Sequence, residues 1–417
     1  MQDPTTLLRR LFDRAVEVAD PMQSLAGFLP PRPKGRLVVI GAGKASARMA
    51  EAVEAVYGPC EGLVITRYGY ARPCQGIEII EAAHPVPDEN GLHATQRMLG
   101  LLEGLSEKDT VLALISGGAS ALLVCPGGAI TLNEKQAINN ALLASGATIG
   151  QMNTVRKHLS RVKGGQLAIA AHPAKMLSLM ISDVPGDDPA MIGSGPTVGD
   201  DSTPEDALKI LHQFEIPIPA SAKAVLNGPN AVVRAHDPRL SSVENVIYAA
   251  PSQSLQAAAD MALNEGLDVT VIGDSIEGEA RIIAKDHARR AIEVQNQMTR
   301  GDAPKLLLSG GELTVTRTGN GIGGPNAEYV LALALELNGR DGIHAIACDT
   351  DGVDGAADVA GAIIRPDTLA RSSYHAAVSA LENNDAHSFF ERLGAQVVTG
   401  PTLTNVNDFR AILIEAG

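Results

Sequence analysis

The chain has 417 residues and a formal net charge of −14, and only 3% of its residues are aromatic, with no Trp. This length exceeds what one hydrophobic core usually supports, so two domains are expected. The acidic charge does not suit binding to a phosphate backbone, and the shortage of aromatic rings does not suit stacking on bases, so a nucleic-acid-binding protein is not expected. Four scattered cysteines, and the lack of a membrane-spanning apolar run or signal pattern, lead us to expect a reduced, cytoplasmic protein without a membrane partner.

The first half of the chain alternates helical patterns with short apolar runs. Residues 5–20 have the apolar period of an amphipathic helix. Apolar runs then follow at residues 37–40, 63–66, 77–80 and 111–115. Continuous runs of this kind indicate strands of a parallel sheet that helices cover on both faces. The sequence therefore predicts an α/β fold with mainly parallel sheets.

A glycine turn follows the first of these strands. Gly41 and Gly43 allow a sharp turn and a close ligand, the next helix would offer free N–H groups to an anion, and Lys44 lies within reach. The stretch lacks the third glycine of a dinucleotide fingerprint and the pattern of a P-loop. It therefore predicts an anion site of unassigned type, with a turn needed only for packing as the alternative.

A second glycine turn follows the strand at residues 111–115. Gly117 and Gly118 lie between the hydroxyl groups of Ser116 and Ser120, and consecutive glycine N–H groups form an anion nest. Earlier in the chain, the proline-fixed loop at residues 84–88 suits either a ligand contact or a plain turn.

Residues 153–163 form the densest cationic segment of this acidic chain. The pattern predicts a helix with Asn153 as N-cap and Gly164 as its stop, which would put Arg156 and Lys163 on one face. That face either binds an anionic ligand or is simply solvated.

Acidic residues follow the next apolar run, at residues 176–182. Asp183, Asp187 and Asp188 crowd one short loop, where a hard cation such as Mg²⁺ would offset their repulsion. Their use as turn formers and helix caps is the alternative.

The second half restarts the alternation after a turn-rich stretch at residues 228–244, which predicts a domain boundary. A strand at residues 305–308 ends in Ser-Gly-Gly-Glu, and the glycine-rich residues 317–328 suggest a mobile lid over a ligand. The strand at residues 345–348 ends in spaced carboxylates, and residues 399–408 add amide side chains.

Together these motifs resemble the glycerate 2-kinases of the MOFRL family, enzymes that also carry the name hydroxypyruvate reductase of tartrate utilisation. The likeness runs nearly end to end and rests on these segments: residues 41–45, 116–120, 156–160, 182–187, 194–197, 309–312, 349–352 and 404–408. The resemblance implies an N-terminal Rossmann-like α/β domain (1–235), a C-terminal MOFRL-type α/β domain (236–417) and an active site in the cleft between them. It also implies ATP and Mg²⁺ as cofactors and D-glycerate phosphorylated on its 2-hydroxyl group.

The motifs, read together with this reaction, give the candidate residues. Lys44 and Asp188 are the catalytic candidates, and Arg156 and Asn326 are the substrate candidates. Metal binding is assigned to Asp183, Asp349 and Asp351. Nucleotide or phosphate binding is assigned to Gly41, Gly43, Ser116, Gly117, Gly118, Ser120, Gly310, Gly311 and Glu312.

One departure from the family pattern concerns a cation. Family members commonly carry Gly-Gly-Arg-Asn-x-Glu in the glycine-rich loop, and this chain has Pro325 at the arginine position. Arg156, Lys163 and Arg317 are the candidates to replace it. The alternative function is an NAD(P)H-dependent hydroxypyruvate reductase, for which Arg67 is the only suggestive residue. The expected partners are glycerate and a nucleotide, with a homodimer left open.

Overall fold

The computed structural model describes residues 3–355 and 357–417 and shows an α/β protein. Its α-helices are α1 (Pro4–Ala19), α2 (Pro21–Ser24), α3 (Ser46–Tyr57), α4 (Glu89–Leu102), α5 (Ala119–Leu122), α6 (Leu132–Ala144), α7 (Ile149–His158), α8 (Gln166–Ala171), α9 (Pro204–Gln213), α10 (Ala220–Leu226), α11 (Pro251–Asn264), α12 (Ala280–Gln297), α13 (Pro325–Leu337), α14 (Tyr374–Glu382) and α15 (Ala386–Leu393). Its strands are β1 (Leu37–Ala42), β2 (Glu61–Arg67), β3 (Ile77–Ala82), β4 (Thr110–Ile115), β5 (Lys175–Ile181), β6 (Val243–Ala249), β7 (Asp268–Gly273), β8 (Gly278–Glu279), β9 (Lys305–Gly311), β10 (Leu313–Thr314), β11 (Ile343–Asp349), β12 (Gly361–Ile364), β13 (Gln396–Val397) and β14 (Asp408–Ile414).

Two compact units divide the chain, Pro21–Tyr248 and Met1–Asp20 with Ala249–Gly417. We call them the central unit and the terminal unit. This division differs from the one at residues 235/236 because α1 belongs with the second half: Leu8, Leu11 and Phe12 share one hydrophobic core with residues of α11 and β9. A sequence pattern shows that a helix has an apolar face but not which sheet that face covers.

The central unit is built on one six-stranded sheet with the order β3-β2-β1-β4-β5-β6. The paired strands β3 to β5 are all parallel, as predicted. Val38 and Ile40 of β1, with Val111 and Ala113 of β4, are fully buried in the core of this unit, which explains the continuous apolar runs. The strand order reverses between β1 and β4, and ligands of such sheets bind at that reversal, beyond the carboxyl ends of the strands.

The terminal unit contains a six-stranded sheet with the order β13-β12-β11-β14-β9-β7. Only β7 and β9 form a parallel pair, whereas β14 runs antiparallel to both β9 and β11, and β12 runs antiparallel to both β11 and β13. The prediction of a mainly parallel second sheet is therefore wrong. The last strand returns between β9 and β11, a long-range pairing that a burial pattern does not reveal.

The cationic helix is also placed differently from its prediction. Thr148 caps α7 in a reciprocal capping box with Gln151, and the helix ends at His158. Lys163 therefore lies outside the helix, and Asn153 is a buried residue within it rather than its N-cap. Among the described residues, no helix combines the length and the apolar character that crossing a membrane would require.

Candidate functional site

A cationic cavity lies at the carboxyl ends of β3 and β4 in the central unit. Its volume is about 140 Å³. Its walls carry Lys135, Arg156 and Lys163, together with polar groups from the loops that follow the two strands. The lining residues are His84, Pro85, Pro87, Gly118, Ser120, Ala121, Val124, Lys135, Asn139, Leu143, Arg156 and Lys163. Among these described residues there is no Asp or Glu, so no carboxylate in the lining offsets the cations.

Lys135 enters the cavity from the buried face of α6. Leu132, Ile138 and Leu142 are the other buried residues of that face, and Lys135 itself is only 6% exposed. Its Nζ donates to the carbonyl oxygen of Arg156 at 3.5 Å. Burial, with a smaller contribution from the charge of Arg156, lowers the pKa of Lys135 from 10.5 to about 7. An anion bound next to Lys135 would therefore stabilise its protonated form.

Lys163 follows the end of α7 and is 1% exposed. Its Nζ donates to the carbonyl oxygens of Ser120 and Leu123 at 2.9 and 3.1 Å, and to that of Gly193 at 3.5 Å. Burial lowers the pKa of Lys163 well below its usual range, and the charges of Lys135 and Arg156 contribute. Carbonyl dipoles hold the ammonium in place without neutralising its charge.

Arg156 completes the set of cations. Its Nε donates to Asn139 Oδ1 at 2.8 Å, and its Nη1 lies 3.5 Å from Asn153 Oδ1. Burial lowers the pKa of Arg156. Two neutral amides therefore orient a guanidinium that has further N–H donors for a carboxylate or a phosphate.

Lys135, Arg156 and Lys163 suit the cavity to an anion, which would raise the lowered pKa values of the two lysines and keep them protonated. Burying charged groups without counter-ions costs free energy, and here the mutual repulsion of the cations adds to that cost. A small anion would offset both effects. The volume of about 140 Å³ is well below the roughly 300–1,000 Å³ of pockets for drug-sized ligands, so the cavity has room only for a small ligand.

Lys44 and His84 lie beside the cavity, next to Gly118. Gly118 has φ +82°, and a Cβ at this position would meet His84 Nε2 at 3.1 Å and Lys44 Cγ at 3.3 Å. A side chain at residue 118 would crowd both. The structure thus brings the lysine of the first glycine turn to the second glycine turn, at the sheet reversal.

The backbone amides of the first glycine turn bond to protein acceptors, and anion binding by the N–H groups of the helix that follows stays a prediction. The amide of Gly43 donates to Ile65 O at 3.1 Å, that of Lys44 to Gly117 O at 2.8 Å, and that of Ala45 to Ser116 Oγ at 3.0 Å. A Cβ on Gly43 would lie 2.1 Å from Ser116 Oγ. Glycine is needed there for contact between the two turns, as the packing alternative proposed. Phosphate binding by Gly41 and Gly43 stays a prediction, in which Lys44 would supply the charged contact to the phosphate.

The two serines of the second turn have different roles. Ser116 is fully buried, and its Oγ accepts from Ala45 N and contacts Ser46 Oγ at 3.2 Å. It therefore joins the two turns. Ser120 lines the cavity, and its Oγ shares a 2.8 Å hydrogen bond with Ser194 Oγ. Ser120 is thus the serine placed to reach a ligand, with Gly117 and Gly118 preceding it.

The acidic loop after β5 lies outside the lining of this cavity. Asp183 is half-buried, and Asp188 is exposed, with its Oδ1 accepting from Ala190 N at 2.9 Å. Asp88 likewise caps α4 by accepting from Gly91 N at 3.0 Å. Local turn formation, the alternative for the acidic loop, accounts for this contact of Asp188, and the plain turn that was the alternative for residues 84–88 accounts for that of Asp88. The catalytic role of Asp188 and the metal role of Asp183 stay predictions.

The terminal unit holds a second polar cluster at one end of its sheet. Strand register places Asp408 of β14 between Gly311 of β9 and Asp349 of β11. Asp349 Oδ1 accepts from Asp351 N at 2.9 Å, which fixes the carboxylate at the strand end. Glu312, the next residue after the glycines, is exposed.

Gly310 and Gly311 are needed for packing against the loop that follows β7. Gly311 has φ +109°, and a Cβ there would lie 2.2 Å from Ile276 N, while Gly310 O accepts from that same amide at 3.1 Å. Their role in nucleotide binding stays a prediction.

Asn326 lies at the centre of the polar cluster and is 1% exposed. Its Nδ2 donates to Asp408 Oδ1 at 2.6 Å, and its backbone amide donates to Asp354 Oδ1 at 2.9 Å. Arg410 Nη1 donates to Asp408 Oδ2 at 2.9 Å. Burial nevertheless raises the pKa of Asp408 to about 6. The Oδ1 atom of Asn326 is buried without a hydrogen-bond partner among the described residues, so it could accept from a ligand.

The glycine-rich loop is hydrogen-bonded to residues 384 and 385 in this structure, and its role as a mobile lid stays a prediction. Asn384 Oδ1 accepts from the amides of Thr318 and Gly319 at 2.8 and 2.9 Å, and Asp385 Oδ1 accepts from Ile322 N at 2.9 Å. A Cβ on Gly319 would lie 2.3 Å from the carbonyl oxygen of Asn383. The glycines therefore permit close packing on residues 383–385.

Arg317, one candidate to replace the missing cation at Pro325, bonds within its own loop. Its Nη2 donates to Gly321 O at 2.9 Å. Pro325 occupies the first turn of α13, which suits proline. Arg156 and Lys163 are therefore the candidates that the structure brings to a cavity.

Sequence reasoning missed Lys135, Asn139, Asp354 and Arg410. A signal for Lys135 was present, since it shares the spacing of Leu132 and Ile138 on the apolar face of α6. The buried roles of Asp354 and Arg410 depend on long-range contacts and carry no such local signal.

The strand order and the basic cavity describe a two-unit α/β protein with a candidate small-anion site at the carboxyl end of a Rossmann-like sheet. Residues 7–227 match a family described as "Domain of unknown function (DUF4147)", and residues 305–408 match the MOFRL family. The chain belongs to the MOFRL-type glycerate kinase family.

Relatives of this family carry two kinds of name. A putative hydroxypyruvate reductase of Agrobacterium vitis is 51% identical, over 98% of this chain and 94% of its own. The D-glycerate 2-kinase of Thermotoga maritima is 38% identical over 98% of both chains. The crystal structure of a glycerate kinase from Thermotoga maritima matches with a TM-score of 0.88 and 38% identity, covering 98% of this chain and 99% of that one.

Proposed function

We propose that this protein is a glycerate 2-kinase that transfers the γ-phosphoryl group of ATP to the 2-hydroxyl group of D-glycerate. The observation that carries the proposal is the cavity of about 140 Å³ with three buried or half-buried cations and no carboxylate among its described lining residues. A small hydroxy acid matches its size and charge, and a nucleotide is too large for it.

Lys135, Arg156 and Lys163 would hold the acid. Arg156 offers the planar N–H fork that pairs with a carboxylate, and the two ammonium groups add charge around it. Ser120 would bond a substrate hydroxyl group. Lys44, beside Gly118 at the cavity, would contact the transferred phosphoryl group, where positioning and charge stabilisation supply most of the catalysis.

Mg²⁺ would be held by carboxylates together with the phosphate oxygens of ATP, since Mg²⁺ usually takes only one or two protein carboxylates. Asp349 and Asp351 fit this donor set, because both are oxygen ligands fixed by backbone amides, at 2.9 Å from Asp351 N and 2.8 Å from Val353 N. Among the residues described in the structure, no cluster of three or more His, Cys, Asp or Glu side chains could bind a metal unaided. When bound, the ion would neutralise charge on the phosphates. Asp183 remains a third proposed ligand.

The second candidate function is reduction of hydroxypyruvate with a nicotinamide cofactor. The strand order β3-β2-β1-β4-β5-β6 is that of dinucleotide-binding folds, and a relative at 51% identity bears this name. Against it, the amides of the first glycine turn bind protein acceptors, and Arg67, at the ribose position, lies over the ring of Tyr70 at 4.7 Å.

A paired assay tests the proposal. The purified chain is incubated with ATP, Mg²⁺ and D-glycerate while ADP is followed, and separately with NADH or NADPH and hydroxypyruvate while cofactor absorbance is followed. Phosphorus NMR then identifies the phosphorylated oxygen. We expect ADP and 2-phosphoglycerate in the first reaction and no turnover in the second. Turnover in the second reaction alone would establish the reductase instead.

We also infer a cytoplasmic location for the protein. Cys60, Cys125 and Cys348 are buried free thiols, and Cys74 is a partly buried one. Free thiols are usual in a reducing compartment. Fractionation of cells that produce the protein would check this.

A further inference from the structure

A second cationic cavity lies in the terminal unit, remote in sequence from the residues that line the first. Its volume is about 430 Å³, and it is formed by the start of α1, the end of β12 and the segment before β13. Four arginines face it: Arg9, Arg10, Arg365 and Arg371. We call this cavity the arginine pocket. Its described lining residues include no Asp or Glu, although the chain as a whole carries a charge of −14.

The arginines of the pocket differ in their partners. Arg9 Nε pairs with Asp13 Oδ1 at 2.7 Å, and Arg10 Nη2 pairs with Glu265 Oε1 at 2.9 Å. Arg365 and Arg371 donate to neutral oxygens instead: Arg365 Nη2 to Thr5 Oγ1 at 2.9 Å, and Arg371 Nη2 to Leu393 O at 2.7 Å. A charged group near Arg365 is the carboxylate of Asp3, which accepts from the Thr5 hydroxyl group and whose pKa the charge of Arg365 helps to lower.

Arg365 and Arg371 therefore keep most of their donors for a ligand. A guanidinium group has five N–H donors. Arg365 and Arg371 each use one of these donors in a hydrogen bond to the described protein. Neutral oxygens orient the two groups, while buried Thr368 fixes the backbone beside them by accepting from Arg365 N at 2.8 Å. Oriented guanidinium pairs recognise carboxylate and phosphate groups through parallel N–H···O bonds.

We propose that the arginine pocket binds a small organic anion that carries two or more carboxylate or phosphate groups. Arg365 and Arg371 make the direct contacts, and Arg9 and Arg10, each paired with a carboxylate, border the pocket. The volume lies within the usual range for a small-molecule site, roughly 300–1,000 Å³, and exceeds the 140 Å³ of the first cavity. The pocket thus takes a larger and more highly charged ligand than the first cavity. The proposal does not depend on the kinase function.

Titration calorimetry on the full chain at constant ionic strength tests the proposal, with citrate as the carboxylate probe and pyrophosphate as the phosphate probe. The wild-type chain should bind at least one equivalent of one probe. In Arg365→Ala/Arg371→Ala, that equivalent should bind about tenfold more weakly or be lost. The matched control is Arg97→Ala/Arg239→Ala, which removes two surface arginines that pair with Glu78 and Asp237; it should bind as the wild type does.

A second measurement on the unmodified chain guards against a misfolded variant. Phenylglyoxal modification, followed by mass spectrometry, should be slowed by the bound probe at Arg365 and Arg371 and not at Arg97 or Arg239. Tighter citrate binding would identify a polycarboxylate, and tighter pyrophosphate binding a phosphate ester. The proposal is overturned if neither probe binds below about 1 mM, if the double variant binds as the wild type does, or if no protection appears at Arg365 and Arg371.

Discussion

Replacing Lys135 by methionine should stabilise the ligand-free fold and weaken substrate binding at the same time. Lys135 is 6% exposed, and its pKa is lowered from 10.5 to about 7, chiefly by burial. A shift of this size corresponds to about 5 kcal/mol of unfavourable free energy for the charged form. Methionine fills a similar volume without a charge. If the charge of Lys135 stabilised the fold instead, the Lys135→Met variant would be less stable than the wild type.

The pH dependence of this effect follows from linkage. Between pH 7 and 10.5 the unfolded chain holds the Lys135 proton and the folded chain has released it, so wild-type stability rises with pH in this window. Below pH 7 both states are protonated, and the full penalty applies. The stabilisation by Lys135→Met should therefore be largest at pH 6 and smaller by roughly 2–3 kcal/mol at pH 9.

Urea unfolding at pH 6 and pH 9 without ligand measures this difference, and the Michaelis constant for glycerate measures the functional cost. Ile138→Met, on the same buried face of α6, is the packing control and should show no such pH dependence. The reasoning fails if Lys135→Met lowers stability equally at both pH values and leaves the Michaelis constant unchanged.

Three further predictions concern the turn lysine, the metal and the glycine loop. Lys44→Ala should lower kcat by about two orders of magnitude or more, because charge at the phosphoryl group is lost; steady-state kinetics with circular dichroism as the folding check would show this, and near wild-type kcat would refute it. Asp349→Asn should raise the Mg²⁺ concentration for half-maximal activity, and an unchanged Mg²⁺ titration would remove it from the metal site. Gly319→Ala should cost about 1–3 kcal/mol of unfolding free energy, whereas Gly100→Ala, where no atom lies within 4 Å of the added Cβ, should be neutral or stabilising; equal effects would contradict the close packing of the loop.

Local patterns predicted the local parts of this structure. The apolar period of residues 5–20 and the continuous runs of β1 and β4 gave the right elements, because burial on one or both faces determines them directly. The start of α7 is also encoded in the sequence, by the capping box of Thr148 and Gln151. The predicted start at Asn153 was too late because the prediction followed the cationic residues.

The parts that sequence reasoning missed depend on contacts between distant segments. The antiparallel return of β14 and the docking of α1 on α11 are set by tertiary packing. The same holds for the glycines. Gly43 and Gly319 are glycine because another backbone or side chain comes within 2.1 or 2.3 Å of where a Cβ would lie, and a sequence gives no sign of whether such a neighbour is protein or ligand.

The Arg156→Ala variant gives the most direct test that the central-unit cavity holds the substrate acid. Arg156 contributes charge-assisted donors to that cavity, and loss of such a contact costs about 1.5–3 kcal/mol, or roughly 10- to 100-fold in affinity. Steady-state kinetics should show the Michaelis constant for glycerate raised by this factor and that for ATP nearly unchanged. Equal effects on both, or an effect on ATP alone, would contradict the account and place Arg156 at the phosphates, where it would replace the arginine absent at Pro325.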